Sequence, residues 1–103
     1  MSLSLNDLKQ TFLIEAENTL AEFKDLEQRA RPILIEAAEL SAKVAYYRFS
    51  GNPLIVLEKS LALILRELEV AGLMVVKTAW ERNIKNLFDK IVKVLITTAT
   101  AAI

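Results

Sequence analysis

Residues 54–76 read LIVLEKSLALILRELEVAGLMVV, and this stretch decides the fold. Fourteen of its 23 residues are Leu, Ile, Val or Met. Apolar residues recur at alternating steps of three and four, the spacing that places side chains on one face of an α-helix. This row is a heptad seam that predicts a helix over 54–76, and it consists of Leu54, Leu57, Leu61, Ile64, Leu68, Ala71 and Val75.

Many other apolar residues of this stretch fall outside the seam, so the helix is apolar most of the way round. Such a helix needs neighbours on several sides, because exposed apolar surface is unfavourable in water. A chain of this size buries only about 60–70% of its surface when it folds alone. We therefore expect a homo-oligomer or a helical protein partner, with an interface made by Leu54, Leu57, Leu61, Ile64, Leu68, Val75 and Trp80.

Two more helices are predicted before this stretch. Ser4 and Asp7 resemble a capping box, and the apolar residues that follow in steps of three and four predict a first helix over about 5–30. Pro32 lacks a backbone N–H and disfavours helical geometry in the residue before it. We therefore expect a break or a sharp kink at this proline and a second helix over 33–49.

The turn between the second and third helices is the best marked one. The sequence Ser-Gly-Asn-Pro at 50–53 offers a glycine that ends one helix and an asparagine and a proline that begin the next. Beyond it only Gly72 interrupts the pattern, so residues 53–98 form either one long helix or two helices, over 54–76 and 78–98. Charges of alternating sign, four residues apart, favour a helix in the last stretch, namely Lys77, Glu81, Lys85, Asp89 and Lys93.

These patterns predict an all-α protein of three to four amphipathic helices. The short link at 50–53 favours antiparallel neighbours, so we expect an antiparallel helical bundle. With 103 residues, the whole chain, 1–103, is predicted to be a single helical domain.

Composition argues against most enzyme chemistry. The chain has no His and no Cys, which removes thiol nucleophiles, Ser-His arrangements and the common zinc ligands. We therefore nominate no catalytic, cofactor-binding or metal-ligating residue and no small-molecule substrate. The 13 basic residues balance 13 acidic ones, and a net charge of zero disfavours binding to nucleic acid.

Two other features suggest contacts with partners. Tyr46, Tyr47 and Phe49 crowd the end of the second helix, where they form either an aromatic contact patch or part of the packing against a neighbouring helix. The uncharged segment after Lys93 suggests contact with a membrane surface. The first residues lack the pattern of a secretion signal, so we expect a cytoplasmic protein.

The function predicted from these observations is structural. We expect a non-enzymatic assembly protein, a helical module that self-associates or scaffolds partner helices, for example in a protein shell, an appendage or a virus particle. The alternative is an amphipathic helical protein that associates with a membrane surface or another apolar phase.

Overall fold

The computed structural model describes residues 4–49 and 55–101, without the side chains of Phe49 and of residues 94–101. The described residues form four α-helices and one 3-10 turn, and they contain no β-strand, which confirms the predicted all-α class. The helices are α1 (Leu5–Ala21), α2 (Glu27–Phe49), α3 (Ile55–Val70) and α4 (Met74–Ala101), and the 3-10 turn at Lys24–Leu26 lies between α1 and α2.

The first helix begins where the capping signal predicts. The Ser4 hydroxyl accepts a hydrogen bond from the backbone N–H of Asp7 at 3.1 Å. This bond satisfies an N–H group that has no partner within the helix. The Ser4 carbonyl then accepts from the N–H of Leu8 at 3.1 Å, which is the first bond of the helical ladder.

The predicted end of the first helix at about residue 30 is wrong, because α1 ends at Ala21. Residues 22–26 form a tighter turn, in which the N–H of Leu26 bonds to the carbonyl of Phe23 at 3.0 Å. No Gly or Pro marks this break. Phe23 and Leu26 are half-buried and pack against the core, so the burial of their side chains stabilises a turn that local helix propensity does not predict.

The predicted break at Pro32 and the predicted helix start at residue 33 are also wrong. The second helix begins at Glu27, and Pro32 lies inside it. The proline removes one N–H, whose acceptor in an unbroken helix is the carbonyl of Gln28. Because Gln28 and Pro32 are both exposed, water can bond to that carbonyl, and the helix tolerates the missing bond.

The boundary between the third and fourth helices lies earlier than the predicted bounds of 54–76 and 78–98. The third helix ends at Val70, and the fourth begins at Met74. Gly72 separates them with a φ of 77°, a left-handed conformation that glycine adopts without the steric cost of a Cβ atom.

One continuous helix over 53–98, the other predicted possibility, is therefore wrong. The N–H of Gly72 bonds to the carbonyl of Glu69 at 3.0 Å, which closes α3 in place of a further helical turn.

The core lies where all four helices meet, and α2 supplies it mainly with alanines. α2 contacts α1 and α3, and α4 contacts the same two helices. Small side chains on α2 let its neighbours approach closely. The core residues are Leu8, Phe12, Ala16 and Leu20 of α1, Ala30, Leu34, Ala37, Ala38, Ala42 and Ala45 of α2, Ile64 and Leu68 of α3, Leu73, and Val76 and Trp80 of α4.

Some predicted features lie outside the described residues. These are the turn at 50–53, Leu54 of the seam and the last two residues of the uncharged tail. The described part of that tail is backbone only, and it continues α4 as far as Ala101.

Candidate interaction surface

Much of the predicted seam packs within the chain. Ile64 and Leu68 are buried in the core, and the half-buried Leu61 packs against them. Leu57 is also half-buried. The inner face of α3 therefore has the spacing that the sequence shows, and it contributes to the contacts of α3 with α2 and α4.

The other residues of the predicted interface lie in different surroundings. Trp80 is buried in the core, whereas Val75 is exposed in the first turn of α4. The seam does not continue from Leu68 to Val75 along one helix, because Gly72 divides them. Ile64, Leu68 and Trp80 thus contact their own chain, and the role of this residue set as an interface stays a prediction.

The exposed apolar residues of α3 form a second row on its outer side. Val56 is 76% exposed, Leu63 66% and Val70 82%. They stand seven residues apart, which is close to two turns of helix, so they lie on one face. We call these three residues the outer stripe, and it is the structure's strongest candidate for an interaction surface.

The sequence pattern places these residues outside the seam and does not single them out as the interface. The seam and the outer stripe both have helical spacing, so periodicity alone does not say which row faces the core. Further exposed apolar residues adjoin the outer stripe in sequence, namely Ile55 at the start of α3 and Met74 and Val75 at the start of α4.

Charged side chains accompany the outer stripe. Lys59, Arg66 and Glu67 are exposed, and each lies within four residues of Leu63 along α3. Glu58 is engaged elsewhere, because Arg48 of α2 bonds to its carboxylate at 3.2 Å. The outer side of α3 is thus an apolar row with three charges beside it.

A group of ion pairs holds the turn between α3 and α4. The Lys77 ammonium lies 2.5 Å from a carboxylate oxygen of Glu69 and 3.3 Å from one of Glu81. The hydrogen bond from Lys77 lowers the pKa of the Glu69 carboxyl, and the two carboxylates raise the pKa of Lys77. Arg29 of α2 donates to the carbonyl of Ala71, at the end of α3 where helix carbonyls favour a cation.

The groove between α3 and α4 has a volume of about 370 Å³ and is lined by these same charges. Lys77 pairs with Glu69 across it and with Glu81 along α4. Arg66 also lines the groove, so its two bases balance its two acids, and its ion pairs hold the two helices together.

Polar contacts also join α1 to α4. The side-chain amide of Asn83 donates to the buried hydroxyl of Thr19 at 2.9 Å, and that hydroxyl donates to the carbonyl of Glu15 at 2.9 Å. Glu22 accepts from both Asn83 and Arg82 at 3.4 Å. The end of α1 is thereby attached to the middle of α4.

Arg31 connects the two sides of the first turn. Its guanidinium donates to the carboxylates of Glu17 on α1 and Glu27 on α2. The hydrogen bond from Arg31 lowers the pKa of the Glu17 carboxyl. Arg31 thus joins α2 to α1 beside the turn that connects them.

The aromatic residues at the end of α2 are partly involved in packing. The rings of Tyr46 and Tyr47 meet edge to face at 5.4 Å, and Tyr46 packs against the core. Nearby, the Arg48 guanidinium lies 5.8 Å from the ring centre of Phe88. Phe49 belongs to α2, but its side chain is outside the described residues, so the contact patch stays a prediction.

The described residues offer neither a cluster of metal ligands nor a helix that could span a membrane. No group of three or more His, Cys, Asp or Glu residues is placed to hold a metal ion there. None of the helices, as far as they are described, is long and apolar enough to cross a membrane.

Comparison of the chain with protein-family models, with curated proteins and with solved structures finds no match.

Proposed function

We propose that this chain is a non-enzymatic structural or assembly protein, a helical module that binds copies of itself or partner helices. The observation that carries the proposal is the outer stripe, in which Val56, Leu63 and Val70 are each about two-thirds exposed or more. Exposed apolar residues that gather on one helix face are typical of interaction sites. Full burial of one such side chain contributes about 1.5–3 kcal/mol, so burial of the stripe favours association.

The contacts within the chain support the arrangement that this function needs. The helices contact one another in the cyclic order α1, α2, α3, α4 and back to α1. An antiparallel bundle with short links has this order, and we propose it as the unit that assembles. Trp80 and the alanines of α2 already fill the core of the chain, and the outer stripe lies outside this core.

The assembly role, a homo-oligomeric state and a cytoplasmic location belong to one proposal. Components of protein shells, appendages and virus particles are examples of the class, and the outer stripe does not favour one of them over another. Fractionation of cells that produce the tagged chain tests the location.

The test of the proposal is the molar mass in solution, measured by light scattering after size exclusion at two concentrations and two salt concentrations. We expect a multiple of 11.6 kDa that persists at high salt, because apolar burial rather than charge drives association. Leu63→Glu should lower the mass to that of one chain while the helical circular dichroism stays unchanged. The matched control is Ile14→Glu, since Ile14 is similarly exposed but lies on α1.

A chain that stays monomeric at every concentration contradicts self-association. In that case binding to a helical partner remains as the function. A partner protein that is captured by the immobilised wild-type chain but not by the immobilised Leu63→Glu chain supports this function. A partner that both bind equally would overturn the role of the outer stripe.

A membrane-surface role is the second candidate, and one observation favours it. The backbone of α4 stays helical through Ala101, although no charged residue follows Lys93. Flotation with anionic vesicles tests this role. Binding that is lost when residues 94–103 are deleted supports it, and flotation of the deleted form contradicts it.

A further inference from the structure

We infer that α3 pairs with α3 of a second copy in antiparallel orientation, across a twofold axis that passes Leu63. The inference rests on the proposed function, because it names the partner of the outer stripe. It is drawn from the arrangement of five exposed residues on α3, which is symmetric about Leu63.

The apolar residues show the symmetry first. Val56 lies seven residues before Leu63, and Val70 lies seven residues after it. When two α3 helices run antiparallel with their Leu63 residues opposite each other, each Val56 lies at the level of the other copy's Val70. All three side chains of the outer stripe then face apolar side chains of the second copy, as an isologous interface requires.

The charges choose the antiparallel orientation. Lys59 lies four residues before Leu63, Glu67 lies four residues after it, and both are exposed. In the antiparallel pair each Lys59 is at the level of the other copy's Glu67, so opposite charges meet at both ends of the contact. A parallel pair in register would instead place Lys59 beside Lys59 and Glu67 beside Glu67, and like charges repel.

Arg66 is the remaining charge on the outer side of α3, and it works against the pair. Its level in the antiparallel arrangement is that of Ser60 of the second copy, one residue away from that copy's Lys59. Arg66 therefore reduces the attraction at each end. This gives an unusual expectation, namely that Arg66→Gln tightens the dimer.

The size of the contact limits its strength. α3 has 16 residues, so it is about 24 Å long. An interface made by one such helix from each copy falls at the small end of specific protein contacts, where affinity is modest. We therefore expect an equilibrium between chains and pairs that shifts with concentration, and it can be measured by analytical ultracentrifugation.

A disulfide test reads the twofold axis directly. The chain has no Cys, so Leu63→Cys introduces a single thiol per chain. A residue on the axis lies opposite the same residue of the second copy. We therefore expect mild oxidation to convert the Leu63→Cys variant to a covalent dimer at least ten times faster than the Ile14→Cys variant. Ile14 is the matched control because it is 60% exposed and lies on α1.

A charge-swap series tests the orientation. Lys59→Glu and Glu67→Lys should each raise the dissociation constant of the pair about tenfold, because each change turns two symmetry-related attractions into repulsions. The double variant Lys59→Glu with Glu67→Lys should restore the wild-type value, since it re-forms both pairs with reversed sign. All these residues are exposed, so the helical circular dichroism should stay that of the wild-type chain.

The outcomes separate this inference from the proposed function. Rapid cross-linking of the Leu63→Cys variant with rescue by the double charge swap supports the antiparallel pair. If the wild-type chain is multimeric but the Leu63→Cys and Ile14→Cys variants cross-link equally fast, or the charge swaps have no effect, the inference is overturned while self-association stands. A chain that is monomeric throughout overturns the inference and self-association together, and it leaves binding to a helical partner as the proposed function.

Discussion

The backbone N–H of Leu73 donates to the carbonyl oxygen of Leu68 at 2.8 Å, reaching back across Gly72. Together with the bond from Gly72 to the Glu69 carbonyl, it forms a Schellman motif that ends α3. The side chains of Leu68 and Leu73 are both fully buried members of the core. The turn between α3 and α4 is thus held by backbone bonds and by apolar packing at the same residues.

Gly72 is expected to be the least replaceable residue of this turn for backbone reasons. Gly72→Ala should lower the free energy of unfolding by about 1–2 kcal/mol, the cost of a Cβ atom in a left-handed conformation. Apart from the two neighbouring residues, no atom in the described part of the chain lies within 4 Å of the place that the Cβ would occupy, so crowding adds nothing. Gly72→Asn should cost less, because asparagine tolerates this conformation. Urea unfolding measures both, and equal stability of the Ala variant and the wild type would contradict the prediction.

The hydrogen bond between Thr19 and Asn83 should contribute measurably to stability. Thr19→Val removes the buried hydroxyl but keeps the side-chain shape, so Asn83 loses its acceptor at 2.9 Å and keeps the longer bond to Glu22 at 3.4 Å. We expect a loss of about 0.5–1.5 kcal/mol in the free energy of unfolding. A double-mutant cycle with Asn83→Ala should give a coupling of similar size.

Thr11 provides the matched control for that experiment. Its hydroxyl makes the same kind of intrahelical bond, to the carbonyl of Asp7 at 2.9 Å, but it is exposed. Thr11→Val should change stability by less than about 0.5 kcal/mol. Equal losses in the free energy of unfolding for the Thr11 and Thr19 variants would show that the contact of Thr19 with α4 makes no net contribution to stability.

Acid should destabilise the fold through two carboxylates. Lys77 lowers the pKa of Glu69, and Arg31 lowers the pKa of Glu17. A carboxyl group whose pKa is lowered in the folded state binds a proton more readily after unfolding, so falling pH favours the unfolded chain. The stabilisation is complete above the ordinary carboxyl pKa of about 4.3 and is lost as the pH falls through the lowered value.

Melting temperatures between pH 7 and pH 2.5 check this expectation. Lys77→Met keeps most of the apolar stem of the side chain but removes the charge, so the acid-induced fall in melting temperature should become smaller. Lys85→Met, on an exposed lysine of the same helix, is the control and should leave the fall unchanged. A Lys77→Met variant with the full acid-induced fall would exclude the ion pair as the cause.

The two faces of α3 should respond differently to truncation. Leu68→Ala should lower the free energy of unfolding by about 2–5 kcal/mol, because Leu68 is fully buried. Leu63→Ala should change it by less than about 1 kcal/mol in dilute solution, where copies separate, since Leu63 is mostly exposed within one chain. Similar losses for the two variants at low concentration would mean that the assignment of inner and outer faces is wrong.

Much of the fold could be predicted from short-range patterns. Ser4 caps α1, and the spacing of Leu57, Leu61, Ile64 and Leu68 gives the inner face of α3, because both depend on residues within one or two turns of helix. Proline and glycine were less reliable guides. Pro32, where a break or kink is predicted, lies inside a helix, whereas Gly72, where one continuous helix is an equal possibility, ends one.

The candidate interaction surface was the harder part to predict. The seam is the predicted interface because its steps of three and four are unbroken, but Ile64 and Leu68 belong to the core of the same chain. Val56, Leu63 and Val70 have an equally regular spacing. Which row stays exposed depends on where α2 and α4 pack, and no local pattern contains that information.

The sequence by itself determined the helical class, the cap at Ser4 and the amphipathic rows, because hydrogen bonding and side-chain spacing in a helix are local. Only the tertiary structure decided that α1 ends at Ala21 and which row of α3 faces inward. Those outcomes depend on burial and on contacts between residues far apart in the chain, such as Thr19 with Asn83 and Arg29 with the Ala71 carbonyl. The free energy of such contacts exceeds the small differences in local helix propensity, so long-range packing sets the final boundaries.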